Sequence, residues 1–465
     1  MKPSDPAHED SIARARAAGR QARKSLPRSE QSVLALPERD VVGILEGQHA
    51  ARLPDLIPVR VGRMLETPFS FYRGAAAVMA HDLSDSRVTG HMLIASGDAH
   101  LANFGLFASP ERRLIFDLND FDEAYPAPWE WDVKRLAASV WLNGRNSSHT
   151  EEQCRTAVQA CVRSYHKALR VLYNHTVTER YYFQMDAEFL AAQRTPAHKR
   201  IKTEETKARQ RTSEQVLTKL TTRDEGGEPR IVDQPPIVLH PPVMDFEAVQ
   251  RLVDQYRSTL RADTALLLSQ YRLVDYAHRI VGVGSVGTRC LVLLFEGPAG
   301  EPLFLQAKEA GESVLATHGR VPNPPEGVAS SLTTRGQGYR VVGAQRILQA
   351  QSDPFLGWIK DVTGDDGLQR DFYIRQFRDM KGSFRLAEMN AQATAEYARL
   401  CGWLLARAHS QSPGSAFILG YLGRNAVFDE AMVDWARSYA DQTEADYTQL
   451  QRAVQSGRLP AETGV

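Results

Sequence analysis

Between Thr195 and Pro242 the sequence turns polar, charged and proline-containing, with Gly226-Gly227 and the pairs Pro235-Pro236 and Pro241-Pro242, and this stretch separates two parts of different texture. Before it, apolar and small residues recur at helical spacing over Phe69 to Leu83, Val133 to Leu142 and Glu151 to Tyr173. Phe104 to Ala108 and Leu114 to Leu118 are short apolar runs around Ser109-Pro110-Glu111-Arg112, a hairpin signature. After it, Phe246 to His278 reads as helical, and then the pattern changes. Arg279 to Phe295 and Pro302 to Ala307 are β-rich runs flanking Gly-Pro-Ala-Gly. Tyr339 to Gln351 and Ala391 to Ser410 are expected helices, with a buried strand over Phe372 to Phe377. The chain is therefore mixed, α+β, and the Thr195 to Pro242 stretch is expected to be a linker or mobile insertion.

With 465 residues, 43% of them apolar, the chain can bury a sizeable core. Its 56 basic and 56 acidic residues cancel, so no global field draws it to nucleic acid or to an anionic membrane. Apolar runs such as Cys290 to Phe295 are too short to span a bilayer, and the first residues lack the apolar core of a secretory signal. A cytoplasmic protein is expected. The four cysteines show neither CxxC spacing nor a framework pattern, which points to reduced, buried thiols. Ser11 to Arg28 is rich in alanine and arginine without interleaved aromatic residues, so a solvated helix or frayed arm is expected there rather than a nucleic-acid contact.

Ser96-Gly97-Asp98-Ala99-His100-Leu101-Ala102-Asn103 is the most informative segment. Phosphoryl transfer needs a carboxylate to orient or deprotonate an acceptor and a neutral oxygen ligand nearby for magnesium. Asp98 and Asn103 stand at that kind of spacing. A further aspartate should arrive from the far strand of the following hairpin, because magnesium on phosphates prefers hard carboxylate oxygen. Asp117, Asp120 and Asp122 arrive there; spacing from Asp98 favours Asp117. His100 reads as a hydrogen-bonded organiser of the loop, and Trp129 and Trp131 as core anchors.

A second constellation follows far downstream. Gly282, Gly284 and Gly287, with Ser285 between them, form a Gly-x-Gly-x-x-Gly whose missing side chains would let backbone N–H groups approach phosphate. Because Thr288 to Phe295 continues as a strand, a strand-turn-strand flap fits better than a dinucleotide-binding turn, which needs a helix there. Lys308 follows on the next strand, where it could pair with phosphates. The helix from Tyr339 carries no acid to hold it, so Glu309 or Glu312 would have to serve, or the pair is missing. Arg73 could hold Asp98 or a phosphate, or make a structural salt bridge. Arg375, Arg378, Asp379 and Lys381 could line a site or form an exposed loop.

Gly97, Asp98, His100 and Asn103 resemble the Gly-Asp-x-His-x-x-Asn catalytic loop of aminoglycoside and choline phosphotransferases, within the protein-kinase-like superfamily. Asp120-Phe121-Asp122-Glu123-Ala124 is similar to that group's metal-binding segment, which ranks Asp120 ahead of Asp117, and Asp132 falls where an aspartate opens the next helix. The stretches Gly97 to Phe107, Phe116 to Ala138, Gly282 to Arg289 and Arg375 to Ser383 also resemble an uncharacterised bacterial domain-of-unknown-function family. The kinase-like resemblance implies a two-lobed fold, and since the glycine loop follows the catalytic loop here, the lobe order would be circularly permuted or rewired. It divides the chain into a basic helical arm (1–60), a catalytic- and metal-loop part (61–194), the linker or insertion (195–243), a nucleotide lobe (244–390) and closing helices (391–465). It implies ATP and Mg2+ as cofactors. Asp98 and Lys308 would act on an unknown hydroxyl acceptor, with Asn103, Asp120 and Asp117 as metal ligands. AMP transfer, a nucleotide-binding regulator and a metal hydrolase are the other readings, and no nucleic-acid or membrane partner is expected.

Overall fold

In a computed structural model the described residues are 6–186, 190, 203–204, 206–209, 213–240, 245–280, 282–322, 328–364, 366–377 and 381–464. They form one large helical body and one antiparallel six-stranded sheet, so the chain is mixed helix and sheet.

The helical body is built around Trp129–Asn146, in which every residue from Trp129 to Gly144 is buried. A helix buried on all sides can carry charge only where each charge has a partner. It packs with Glu151–Leu172, Ala391–His409 and the 29-residue Val427–Gln455, so distant parts of the chain share one core. Glu151–Leu172 starts at a reciprocal cap between Thr150 and Gln153. Its contact with Ala391–His409 is close because Gly402 lies on the Cys161 carbonyl, where an added Cβ would sit 2.2 Å from that oxygen.

Several expectations need correction. The basic N-terminal segment is a helix solvated on one face only, not a frayed arm: helix Pro6–Ser25 docks on Ala416–Leu422, with Gly19 against the Phe417 carbonyl, while Arg14, Arg20 and Lys24 are exposed. Its arginines cap that partner helix, Arg23 donating to the Tyr421 and Gly420 carbonyls and Arg28 to that of Leu422. Phe69 to Leu83 is two helices, Pro68–Gly74 and Ala76–Ser84, broken at Ala75. The pattern from Phe246 ends as helix at Leu268, and Arg272–Arg279 is a strand.

The sheet contains β7 (Val238–Leu239), β8 (Arg272–Arg279), β9 (Cys290–Glu296), β10 (Pro302–Ala310), β11 (Gly357–Thr363) and β12 (Gln369–Gln376), in the order β11-β12-β10-β9-β8-β7. The alternation of β-strand side chains puts Leu303, Leu305 and Ala307 on one face, packed beneath helix Phe246–Arg257. Lys308 faces the other way, in register with Tyr373 of β12. Within the stretch read as a linker or mobile insertion, helix Ser213–Leu220 and the segment through β7 place Val216, Ile231 and Val238 on Val292, Leu294 and Phe304. That part is therefore folded onto the sheet rather than a plain connection; its polar composition reflects burial of a few dispersed apolar residues.

The four cysteines are buried and unpaired. Among the described residues no helix is long and apolar enough to cross a membrane.

Candidate functional site

Asp98 lies in the loop that follows β1 (Met92–Ala95), and its conformation is over-determined. Gly97 has φ 77°, and a Cβ there would meet the Glu123 carbonyl oxygen at 2.1 Å. Only glycine allows this loop to lie directly on the Asp120 segment. One turn-opening carboxylate holds the loop from below: Asp132 accepts the N–H groups of Ser96 (2.7 Å) and Gly97 (2.9 Å) and a hydrogen bond from His409 (3.1 Å). Since that carboxylate can only accept, His409 Nε2 carries the proton, and Nδ1 accepts from the Tyr165 hydroxyl at 2.8 Å.

One helical turn beyond Asp132, Arg135 reaches Asp98 Oδ1 at 2.7–2.8 Å, and also binds the Tyr72 carbonyl. Asn103 donates to the Asp98 backbone carbonyl at 2.7 Å. His100 accepts the Ala102 N–H through Nδ1 at 3.2 Å, with Nε2 3.7 Å from Asp98. Burial, then the charges of Arg135 and Arg73, push the imidazole well below its usual range, so it is a neutral organiser of the loop.

The hairpin read from sequence is present, β2 (Phe104–Ala108) pairing with β3 (Leu114–Leu118). It separates the three aspartates. Asp117 sits within β3, fully buried, its oxygens taken by the N–H groups of Leu118 and Ala350 at 2.8 Å each. Asp120 and Asp122 lie beyond the strand's end and line the same cleft as Asp98 and Asn103. Burial, reinforced by the charge of Asp122, raises Asp120 above the usual carboxylate range. Burial would raise Asp122 too, but Lys308 and the Tyr373 hydroxyl outweigh it and hold it low.

Lys308 Nζ is 3.1 Å from Asp122, and Tyr373 donates to the other oxygen of that carboxylate at 2.6 Å. Neither Glu309 nor Glu312 holds the lysine. Glu309 pairs with Arg289 and Arg370 instead, because it points to the opposite face of β10. Helix Gln337–Leu348 contributes Arg340 rather than an acid: its guanidinium donates to the carbonyls of Ala124 (2.6 Å), Asp122 and Gly311 (2.8 Å each), tying the aspartate loop to the end of β10.

Gly282 to Gly287 join β8 to β9, antiparallel neighbours, so this is a strand-turn-strand loop and not the start of a helix. Gly282 and Gly287 have φ 70° and 89°. The loop is tied to the helical body. Arg63 donates to the Gly282 carbonyl at 2.6 Å, Arg52 to that of Val286, and the Leu53 N–H to that of Gly287 at 2.8 Å. Gly282, Gly284 and Ser285 line the same cleft as the aspartates, a space of about 450 Å3 that also takes in Arg52 and Arg73. Arg375 and Lys381 line a neighbouring hollow behind Asn119, and Arg378 and Asp379 lie outside the described residues.

Among the described residues no three His, Cys, Asp or Glu side chains converge on a preformed metal site. Asn103 and Asp120 nonetheless fit magnesium. That ion takes one or two protein oxygens and fills its remaining positions with water and phosphate, and a carboxylate strained by burial and by a like-charged neighbour favours a cation.

A family model described as an uncharacterized protein conserved in bacteria (DUF2252) matches residues 52–453. The chain belongs to this family. No curated protein and no solved structure matches it.

Three arginines of this DUF2252 chain, Arg52, Arg135 and Arg340, build the site without having been singled out for it from the sequence. Arg135 had a readable signal: it falls one turn after Asp132, just before the mostly apolar run Leu136 to Leu142. Arg52 and Arg340 act mainly on backbone carbonyls, which leave no trace in a residue pattern.

Proposed function

We propose that this protein is an ATP- and magnesium-dependent phosphotransferase acting on the hydroxyl of a small acceptor, with kinase-like lobes joined in rewired order. One observation carries the reading. Asp98, Asn103 and Asp120 share a single cleft with the Gly282 to Gly287 loop, although well over a hundred residues separate them in sequence. Read in the order glycine loop, Lys308, helix Gln337–Leu348, β12, helix Ala391–His409, Asp98, Asp120, the elements follow kinase order.

Bound ATP with magnesium would supply the transferable phosphoryl group and neutralise its charge. The chain's own part is positioning. Asp98, aimed by Arg135, would receive the proton of the acceptor's hydroxyl as the phosphoryl group passes to that oxygen and ADP leaves, while Asn103 and Asp120 would hold the metal. Lys308 keeps Asp122 ionised beside them; burial would lower the ammonium, but Asp122, Tyr373 and Asp120 outweigh it and keep it charged.

The pairing of Lys308 with Asp122 in place of a helix glutamate favours a second reading, a nucleotide-binding regulator without turnover. Thermal unfolding of wild type and Asp120→Ala, with and without ATP and magnesium, tests both. A ligand that binds only the folded state raises the midpoint by mass action. A magnesium-dependent shift lost in Asp120→Ala is expected, and no shift at millimolar ATP in the wild type would overturn the phosphotransferase reading. With a shift in hand, transfer of labelled γ-phosphate separates enzyme from regulator.

A further inference from the structure

A cleft built for a polyphosphate needs cations that are not already committed. Lys308, the residue a kinase-like reading assigns to that task, is spent on Asp122 and is not among the residues that line the cleft. The basic side chains that do line it are Arg52 and Arg73, together with His100 and His318, whose imidazoles burial holds below their usual range.

Both arginines stand directly against the glycine loop. The Arg73 carbonyl is 3.5 Å from where a Gly284 Cβ would be, and the Arg52 side chain packs on Gly287. The Arg52 side chain makes one hydrogen bond among the described residues, to the Val286 carbonyl. Arg73 makes no salt bridge among the described residues, and its buried Nε has no hydrogen-bond partner. The Arg73 side chain lines the cleft, attracted by Asp98, Glu66 and Asp120 but bonded to none of them, so its guanidinium is available to an anion bound there. Guanidinium groups meet phosphate oxygens through paired N–H donors, a geometry an ammonium cannot reproduce.

We propose that Arg52 and Arg73 are the phosphate grip of this cleft, binding the terminal phosphates of a nucleoside triphosphate in the place that Lys308 would take in a kinase. The assignment rests on the phosphotransferase reading and deepens it, because it makes the helical segment before the catalytic loop part of the nucleotide site.

The test measures dissociation constants for ATP and for inorganic tripolyphosphate, both with magnesium, on the full chain. The variants are Arg73→Met, Arg52→Met and Lys308→Met. Since Arg73 holds no other group, Arg73→Met carries the test; unliganded melting checks that each variant is folded. Loss of charge-assisted bonds predicts roughly 10–100-fold weaker binding of both ligands by each arginine variant. Lys308→Met, which leaves the Asp122 charge without its partner beside the cleft, should weaken tripolyphosphate binding less than either arginine variant does. Wild-type binding that Arg73→Met leaves unchanged, or that Lys308→Met weakens as much as the arginine variants do, overturns the grip alone. Failure of the wild type to bind either ligand overturns the grip and the phosphotransferase reading together.

Discussion

Asp132→Asn isolates the device that holds the Asp98 loop in place. The carboxylate is 1% exposed and accepts three hydrogen bonds, from the Ser96 and Gly97 N–H groups and from His409. Bonds to a buried charged group contribute about 1.5–3 kcal/mol each. Asparagine keeps one accepting oxygen and turns an NH2 toward what was an accepted donor. At least one of the three bonds is therefore lost and one buried donor is left unmatched, which sums to a loss of about 2–4 kcal/mol. Urea unfolding followed by tryptophan fluorescence reads this directly. Tyr165→Phe, which removes only the far hydroxyl of the same chain of bonds, should cost about 1 kcal/mol. The loop's backbone carries Asp98, so on the proposed function Asp132→Asn should also weaken a magnesium-dependent ATP shift, whereas Tyr165→Phe should preserve it. An Asp132→Asn protein as stable as the wild type, or no less stable than Tyr165→Phe, would refute the clamp.

Other consequences follow from the same geometry and, where ATP or magnesium is named, from the proposed function. Gly97→Ala drives a Cβ to 2.1 Å from the Glu123 carbonyl at φ 77°, so it should lose ATP-dependent stabilisation and lower the unfolding midpoint; an unchanged melt would show that the two loops are not in contact. Asp117→Asn should lower stability by about 1–2 kcal/mol yet leave the magnesium requirement for ATP binding intact, the opposite of Asp120→Ala, and calorimetry with each variant distinguishes the two roles. Glu123 gives a pH dependence: burial raises its carboxyl from the usual range to about 7, against the pull of the Val314 N–H. The folded state therefore holds this proton more tightly than the unfolded chain, so the stabilisation is complete below the unfolded value near 4.5 and is lost as pH rises toward 7. Glu123→Gln mimics the neutral form; relative to wild type it should gain about 3 kcal/mol between pH 4.5 and 8, and parallel stability curves for the two proteins would contradict the shift.

How much of this was legible in the sequence depends on how local the cause is. The β2–β3 hairpin, the strand-turn-strand form of the glycine loop and the cap of Glu151–Leu172 rest on neighbours a few residues apart, and pattern reasoning reaches them. The partner of Lys308 does not: Asp122 lies 186 residues away, and the pair exists only because β10 packs on the aspartate loop. Arginine-rich composition at the N-terminus was equally silent, since a guanidinium capping the helix Ala416–Leu422 and one pointing to water look alike in sequence.

The choice between Asp117 and Asp120 shows where more could have been read. Counting residues from Asp98 treats both as points on a line, but β3 ends at Leu118, so the two differ in kind. Asp117 is inside the strand, opposite Gly105, where a buried carboxylate must find backbone donors or stay protonated; it finds Leu118 and Ala350. Asp120 is past the last ladder pair, where the chain turns and no neighbouring strand supplies donors. Among the described residues its carboxyl accepts only a long hydrogen bond from the Asp122 N–H, at 3.3 Å, and burial beside the Asp122 charge raises it. A carboxylate within a strand is thus consumed by the fold, and one just beyond it is available to a cation. Locating the strand's end at Leu118, where Asn119-Asp120 ends the apolar run, therefore ranks the two aspartates where spacing from Asp98 alone ranks them the other way.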